Sequence, residues 1–215
     1  MGNLACVRTV FSSAARELPL WTRTRQSGGG VLLDRASHHV HMIYFLFEEE
    51  IIEVSVKLWS QLSEDDSAVV EMRLARGLPV QSFFSLSAAD EDRLEIYGQS
   101  GKPLLDRYSA DFKLTAPTYE YGRVEQIKPG LSYILSGFKR VIRPMGEPSF
   151  LLASNSFVSA AKSGNPGIHP DIEDAYRSLA VIEAMERSAL AGESVSPLYN
   201  YQLPGDIHPK ASIAD

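Results

Sequence analysis

The sequence predicts an α+β fold: an open-faced, mostly antiparallel β-sheet with helices packed on one face. Three observations carry this. From residue 52 to residue 108, apolar and polar residues alternate in short runs separated by turn residues, the period-two pattern of strands with one buried face. One helical run precedes these strands and two follow them. No alternation of strand and helix of the kind that builds a parallel, doubly wound sheet is present. With 215 residues, 44% of them hydrophobic, the chain can bury a sizeable core.

Residues 4–11 read as the first strand, with Val7, Thr9 and Phe11 on one face and Cys6, Arg8 and Val10 on the other. Residues 12–27 form a polar loop carrying Pro19, Trp21, Arg23 and Arg25 and ending at Gly28, Gly29 and Gly30. Three glycines let the backbone take dihedrals closed to other residues and approach a ligand or a neighbouring segment. A Trp and two arginines beside such a run suit a pocket for an anionic or polyhydroxy ligand; they suit equally a solvated loop pinned by one aromatic.

A helix then starts, in which Val31, Leu32, Leu33, Ala36, Val40, Ile43, Phe45, Leu46 and Phe47 predict nearly all-round burial. Its polar stripe is short: Asp34, His38 and His41, at i, i+4 and i+7. Side chains four apart stack on one helix face, so Asp34 and His38 read either as an acid/base pair or as a half-buried pair satisfying itself. Asp34 and His41 lie about 10 Å apart along the axis, too far to share one metal ion with His38. His39 points about 100° away from His38.

Beyond the helix, Ile52, Val54, Val56 and Leu58 are expected on the buried face of a strand, opposite Glu53, Ser55, Lys57 and Trp59. Residues 63–66 turn the chain. Val70, Met72 and Leu74, a turn at Arg76-Gly77, and Val80, Ser82, Phe84 and Leu86 make a hairpin. Leu94 and Ile96, then residues 104–108, continue the meander. Residues 109–147 hold no sustained period, and one or two edge strands and a short helix are expected there. Residues 150–162 read as an amphipathic helix closed by Ser163-Gly164. Asp171 caps a longer helix with an expected stripe of Ala175, Leu179, Ile182, Met185 and Ala189, stopped by Gly192. The expected domain is 1–197, with residues 198–215, rich in proline and poor in apolar residues, as a flexible tail.

Lys and Arg total 21 against 27 Asp and Glu, a net charge of -6 with no basic block, so nucleic acid is not an expected partner. The single cysteine, Cys6, allows no intrachain disulfide. The longest apolar run, 40–47, is interrupted by His41 and too short to span a membrane. The N-terminus lacks both the Ser or Thr of a myristoylation signal and the apolar segment of a lipoprotein signal. A cytoplasmic protein is expected.

With these residues laid out, the chain resembles the C-terminal domain of the Gfo/Idh/MocA family, the glucose-fructose oxidoreductases and inositol dehydrogenases. The resemblance runs to about Pro197. It is strongest at Ser27 to His38, where Gly-Gly-Gly is followed by an Asp and then by a His four residues later. The hairpin sequence at 92–101, Asp-Arg-Leu-Glu-Ile-Tyr-Gly-Gln-Ser-Gly, and the segment 171–195 support it. The resemblance implies that Asp34 and His38 are catalytic, orienting a substrate hydroxyl and managing its proton. Substrate contacts are expected from Trp21, Arg23, Arg25, Gly29, Gly30 and His39, and no cofactor-binding or metal-binding residue is expected in this chain. The resemblance also implies a sugar or polyol substrate and NAD or NADP held by a separate dinucleotide-binding domain; the strand pattern, which leaves one sheet face partly apolar, predicts a homodimer or tetramer through that open face, with Trp59 near the contact. Two departures stand out. The Asp that usually follows the His by three residues is His41 here, and neither the family's Glu-Lys-Pro motif nor a Gly-x-Gly-x-x-Gly after a strand is found, so no Rossmann domain is expected in this chain. The same departures leave room for a second reading, a non-catalytic ligand-binding or oligomerisation module derived from that family.

Overall fold

Seven strands form one sheet: β1 (Leu4–Ser12), β2 (Ile51–Trp59), β3 (Ser67–Leu74), β4 (Pro79–Ser85), β5 (Glu91–Gly98), β6 (Lys102–Asp106) and β7 (Phe112–Thr115). The computed structural model describes residues 2–17, 19, 22–108, 112–115, 149–164 and 171–199. The spatial order is β2-β3-β4-β1-β5-β6-β7, and every pairing is antiparallel except β1 with β4. The sheet is therefore not a simple meander: β1 leaves the sequence order and lies between β4 and β5. Local periodicity marks β1 as a strand with a buried face but holds no information on which later strands flank it.

A π-helical turn (Leu32–Ala36) runs directly into helix α1 (Ser37–Phe47). Two further helices are α2 (Ser149–Ser163) and α3 (Ile172–Ala191). α1 and α3 cover one face of the sheet. The core lies between: Val7 and Phe11 of β1, Val54, Val56, Val70, Met72, Val80, Phe84 and Leu94 meet Ala36, Val40 and Ile43 of the first helical segment and Val181, Ile182 and Met185 of α3. Among the described residues no helix is long and apolar enough to cross a membrane.

Three expectations need correction. In β2 the pairing shifts between Ile51 and Glu53, a bulge that turns Ile51 inward (0% exposed) and leaves Ile52 42% exposed; two-residue alternation cannot register such an insertion. The helix from residue 31 is not buried all round, since Leu33, Phe45 and Leu46 face outward. In α3 the buried face is centred on Ser178, Val181, Met185 and Ser188, with Leu179 exposed. Ser188 explains that rotation. Its hydroxyl donates to the Glu193 carbonyl (2.6 Å) and accepts the Val56 N–H (3.1 Å), fastening helix to strand through a polar residue no hydrophobic stripe reveals.

The ends of α3 follow its sequence. Asp171 accepts from the Glu173 and Asp174 N–H groups and Asp174 returns the bond, a capping box; Gly192 closes the helix in the left-handed conformation. The chain then lies along β2, Val195 exchanging two backbone hydrogen bonds with Val54. It remains docked through Tyr199, whose hydroxyl donates to the Ile51 carbonyl at 2.7 Å. The edge strand expected within 109–147 is present as β7; the other elements expected there fall on residues 116–148, outside the described residues, as does the tail from residue 200. 

Asp66 organises the turn between β2 and β3. Fully buried, it accepts the N–H groups of Gln61, Leu62 and Ser63 and the Ser67 hydroxyl. Burial alone would raise its pKa, but these four donors outweigh it and hold the carboxyl below its ordinary value. Such a group stabilises the fold above its unfolded pKa, and the contribution is lost as pH falls through the depressed folded value. Asp66→Ala should lower the unfolding free energy at pH 7 by roughly 1–3 kcal/mol. Denaturant titrations at pH 7 and pH 3 should show the difference between wild type and variant shrinking at the lower pH.

Candidate functional site

The glycine run is held by its neighbours. Gly28 caps a short 3-10 turn (Arg25–Ser27) in the left-handed conformation, its N–H donating to the Arg25 carbonyl. The Gly29 N–H donates to the Thr24 carbonyl, and a Cβ at Gly29 would lie 2.2 Å from the Thr22 carbonyl oxygen. Gly30 has φ +102 and is buried, and the next N–H, that of Val31, is taken by the Asp65 carbonyl. Arg25 secures the same loop, pairing with Asp65 and with Glu186 of α3, both at 3.4 Å. The Arg23 carbonyl accepts the Glu64 N–H. Of the expected substrate-binding residues, Gly29, Gly30 and Arg25 thus set the loop's shape, Arg23 is exposed beside it, and Trp21 lies outside the described residues.

Asp34 and His38 both emerge on the outer side of the helix. They share a side but not a hydrogen bond. Asp34 pairs with the Arg35 Nε at 3.2 Å, and the His38 ring lies tilted against Phe11, 6.0 Å between centroids. A charged neighbour and an aromatic one each compete with the expected i, i+4 contact.

His39 has the opposite placement. It is 3% exposed and turned to the sheet, where its Nε2 lies 3.1 Å from the Asp92 Oδ1. Its ring stacks on Phe11 (5.3 Å) and meets Phe84 edge-on (5.6 Å). Burial alone would push the Asp92 carboxyl up, but His39 and Arg107 outweigh it and keep the group below the usual range. Asp92 is the partner sequence reasoning missed: it stands 53 residues from His39, and its position in the hairpin motif gives no hint of a helix contact.

The outer stripe of α1 continues from His38 through His41 to Phe45 and there meets a cleft of about 340 Å³. His41, Tyr44 and Phe45 form one wall, Glu48 to Glu50 the end, and Asp174 and Arg177 of α3 the other wall. Tyr199 donates to Ile51, so Tyr44 donates to Tyr199 at the base of α1; burial pushes both phenols up. The cleft offers carboxylates, an imidazole and a guanidinium, a donor and acceptor set that fits a polyhydroxy ligand. Glu48, Glu49 and Glu50 are not among the site residues expected from the sequence.

The glycine run does not fit a dinucleotide pyrophosphate. A phosphate cradle needs free backbone N–H groups at a helix start, and here those of Gly28, Gly29 and Val31 are engaged within the chain. Among the described residues no group of three His, Cys, Asp or Glu side chains is placed to hold a metal ion.

Comparison with known proteins agrees with this architecture. Residues 1–102 match the family model described as GFO/IDH/MocA C-terminal domain. A comparison with curated protein sequences gives no match. Among solved structures, the WlbA dehydrogenase from Bordetella pertussis in complex with NADH and UDP-GlcNAcA is similar, with 17% identity, a TM-score of 0.68, and 92% of this chain covering 57% of that one. Levoglucosan dehydrogenase in complex with NADH has 15% identity and a TM-score of 0.69, over 92% of this chain and 59% of that one. A probable dehydrogenase from Thermotoga maritima has 22% identity and a TM-score of 0.61, over 91% and 56%. At these identities the likeness shows a common fold. The chain spans under two thirds of the length of each.

Gly29→Ala should cost about 2 kcal/mol or more, because a backbone carbonyl must move to admit the new methyl. Gly28→Ala, with open space at its Cβ but φ +90, should cost about 1 kcal/mol. Denaturant unfolding of the two variants measures the difference.

Proposed function

From residues 1–102 carrying a Gfo/Idh/MocA C-terminal domain, we propose that this chain is the substrate-binding and catalytic portion of an NAD(P)-dependent sugar or polyol oxidoreductase. The observation that carries the reading is the outer face of the first helical segment. It presents Asp34 and His38 to solvent among exposed Leu33, Phe45 and Leu46, beside the cleft at Tyr44. Exposed Leu33, Phe45 and Leu46 along the same helical segment mark a face that a second body covers. That body is a dinucleotide-binding domain outside this chain, which supplies the hydride acceptor. The chain's own residues do the rest: the cleft holds the hydroxyl-rich substrate, Asp34 and His38 orient the reacting hydroxyl, and His38 takes its proton. Asp34 then leaves Arg35 for His38 or the substrate, a rotamer change within reach of an exposed side chain.

Titration calorimetry with inositol, glucose and a sugar acid tests binding. Asp34→Asn and His38→Ala should weaken the affinity of whichever ligand binds by about tenfold or more, roughly 1.4 kcal/mol. The chain alone should reduce no NAD or NADP, and cofactor-dependent turnover by the chain alone would overturn the division of labour. The second reading, a non-catalytic module, is favoured by His41 in place of the family's Asp and by the missing Glu-Lys-Pro. It predicts binding that depends on Asp34 and His38 but no turnover with any dinucleotide-binding domain supplied.

The open sheet face supports self-association. Trp59 stacks on Phe83 at 6.4 Å and remains 36% exposed, with Val69 exposed beside them and Arg8, Glu71 and Arg93 on the same face. An apolar centre within charged surroundings has the anatomy of a subunit contact. Sedimentation equilibrium at micromolar concentration should give a dimer or tetramer for wild type and a smaller species for Trp59→Glu. A wild-type monomer would remove the sheet interface from consideration.

A further inference from the structure

We propose that the His39–Asp92 pair is a positioning unit for Asp34 and His38: it fixes the rotation of α1 on the sheet and so the direction in which those two side chains project. The proposal rests on the catalytic reading only for its purpose; the geometry stands without it.

His39 sits over one cross-strand row. Phe11 of β1 is paired with Phe84 of β4 on one side and with Asp92 of β5 on the other. The imidazole touches all three, stacked on the first, edge-on to the second and hydrogen-bonded to the third. The other buried groups that α1 and its preceding turn press into the core are Leu32, Ala36, Val40 and Ile43, all aliphatic, and the directional bond of Tyr44 to Tyr199 lies at the far end of α1. Aliphatic contacts resist separation but tolerate a small roll of the helix, whereas a directional bond at 3.1 Å does not. Asp92 is itself fixed, because Arg107 reaches its second oxygen at 3.3 Å and the Arg107 N–H donates to its carbonyl. His38 is the next residue along the helix, so locking one ring sets the azimuth of the other. Phe11 strengthens the link. The ring under His39 also lies 4.6 Å below the Arg35 guanidinium and 6.0 Å from His38.

A purely structural role would be met more simply. A phenyl ring would fill the seat between Phe11 and Phe84 without burying a polar nitrogen, yet the chain carries an imidazole whose Nδ1 is buried with no hydrogen-bond partner. The Asp92 carboxylate can only accept, so Nε2 carries the shared proton and the bond defines both the tautomer and the ring plane. Orientation is what the imidazole adds.

The test reads His38 directly by NMR, without substrate or cofactor. In His39→Leu the His38 ring resonances should move away from their wild-type positions, as the ring changes its place against Phe11 and beside Arg35. His39→Gln, whose amide nitrogen occupies the place of Nε2 and can still donate to Asp92, should restore the wild-type His38 resonances. Asp92→Ala, changed at the more accessible end of the pair, provides a second route should His39→Leu not fold, and should move His38 in the same way. A folded His39→Leu or Asp92→Ala with unmoved His38 signals would overturn the proposal, as would a His39→Gln variant that behaves like His39→Leu. Loss of ligand binding in Asp34→Asn is not required for any of these outcomes, so a failed catalytic reading and a failed positioning unit are told apart.

Discussion

The insertion of β1 between β4 and β5 is the constraint on which the rest depends. Because β1 pairs in parallel with one neighbour and antiparallel with the other, Phe84, Phe11 and Asp92, drawn from three separate segments, fall into one row beneath the first helix. That row decides which histidine is buried. A carboxylate beside two aromatic rings accepts an imidazole readily and an aliphatic side chain poorly, so His39 turns inward and His38 is left outside. The same strand carries Ser12 and Ser13 to the loop region, where the Ser13 hydroxyl accepts from Arg35. One strand thus sets the helix's rotation and the surroundings of its outer stripe.

A second level of constraint acts on the helix start. The turn containing Asp65 and Asp66 is tied internally by the buried Asp66 carboxylate, and from that rigid base it reaches the glycine loop through the Asp65 carbonyl on Val31 and the Asp65 carboxylate on Arg25. Glu186 of α3 holds Arg25 from the other side. The loop is therefore clamped between the sheet and a helix that follow it in sequence, and its glycines answer the close approach of backbone to backbone. Rigidity where the helix begins fixes the positions of Asp34 and His38, since both sit in its first turns.

Much of this was legible in the sequence. Alternation located β2 to β6, Asp171 and Gly192 marked both ends of α3, and of the stripe Asp34, His38 and His41 the first two are exposed and His41 half-buried. What escaped was non-local or aperiodic. The bulge at Ile51 exchanges which isoleucine is buried, the π turn at Leu32–Ala36 departs from helical spacing, and Ser188 is fixed by a strand 132 residues away. Above all, the pattern sets His39 about 100° from His38 but does not say what either side chain meets. Their opposite placements come from Asp92, whose contribution exists only once the strands are in order.

The replacement at position 41 takes on a different meaning beside the cleft. An acid three residues after His38 would add negative charge to the stripe; His41 does not. Yet His41 lines the same cleft as Glu48, Glu49, Glu50 and Asp174, so the region remains rich in carboxylates with Arg177 as their counter-charge. The carboxylates of the cleft come from the helix end and from α3. Interactions over such distances weaken with salt and with solvent exposure, whereas a neighbour on the same stripe acts at contact. His41 is therefore the member of the stripe that meets those carboxylates, while Asp34 and His38 stand outside the cleft lining.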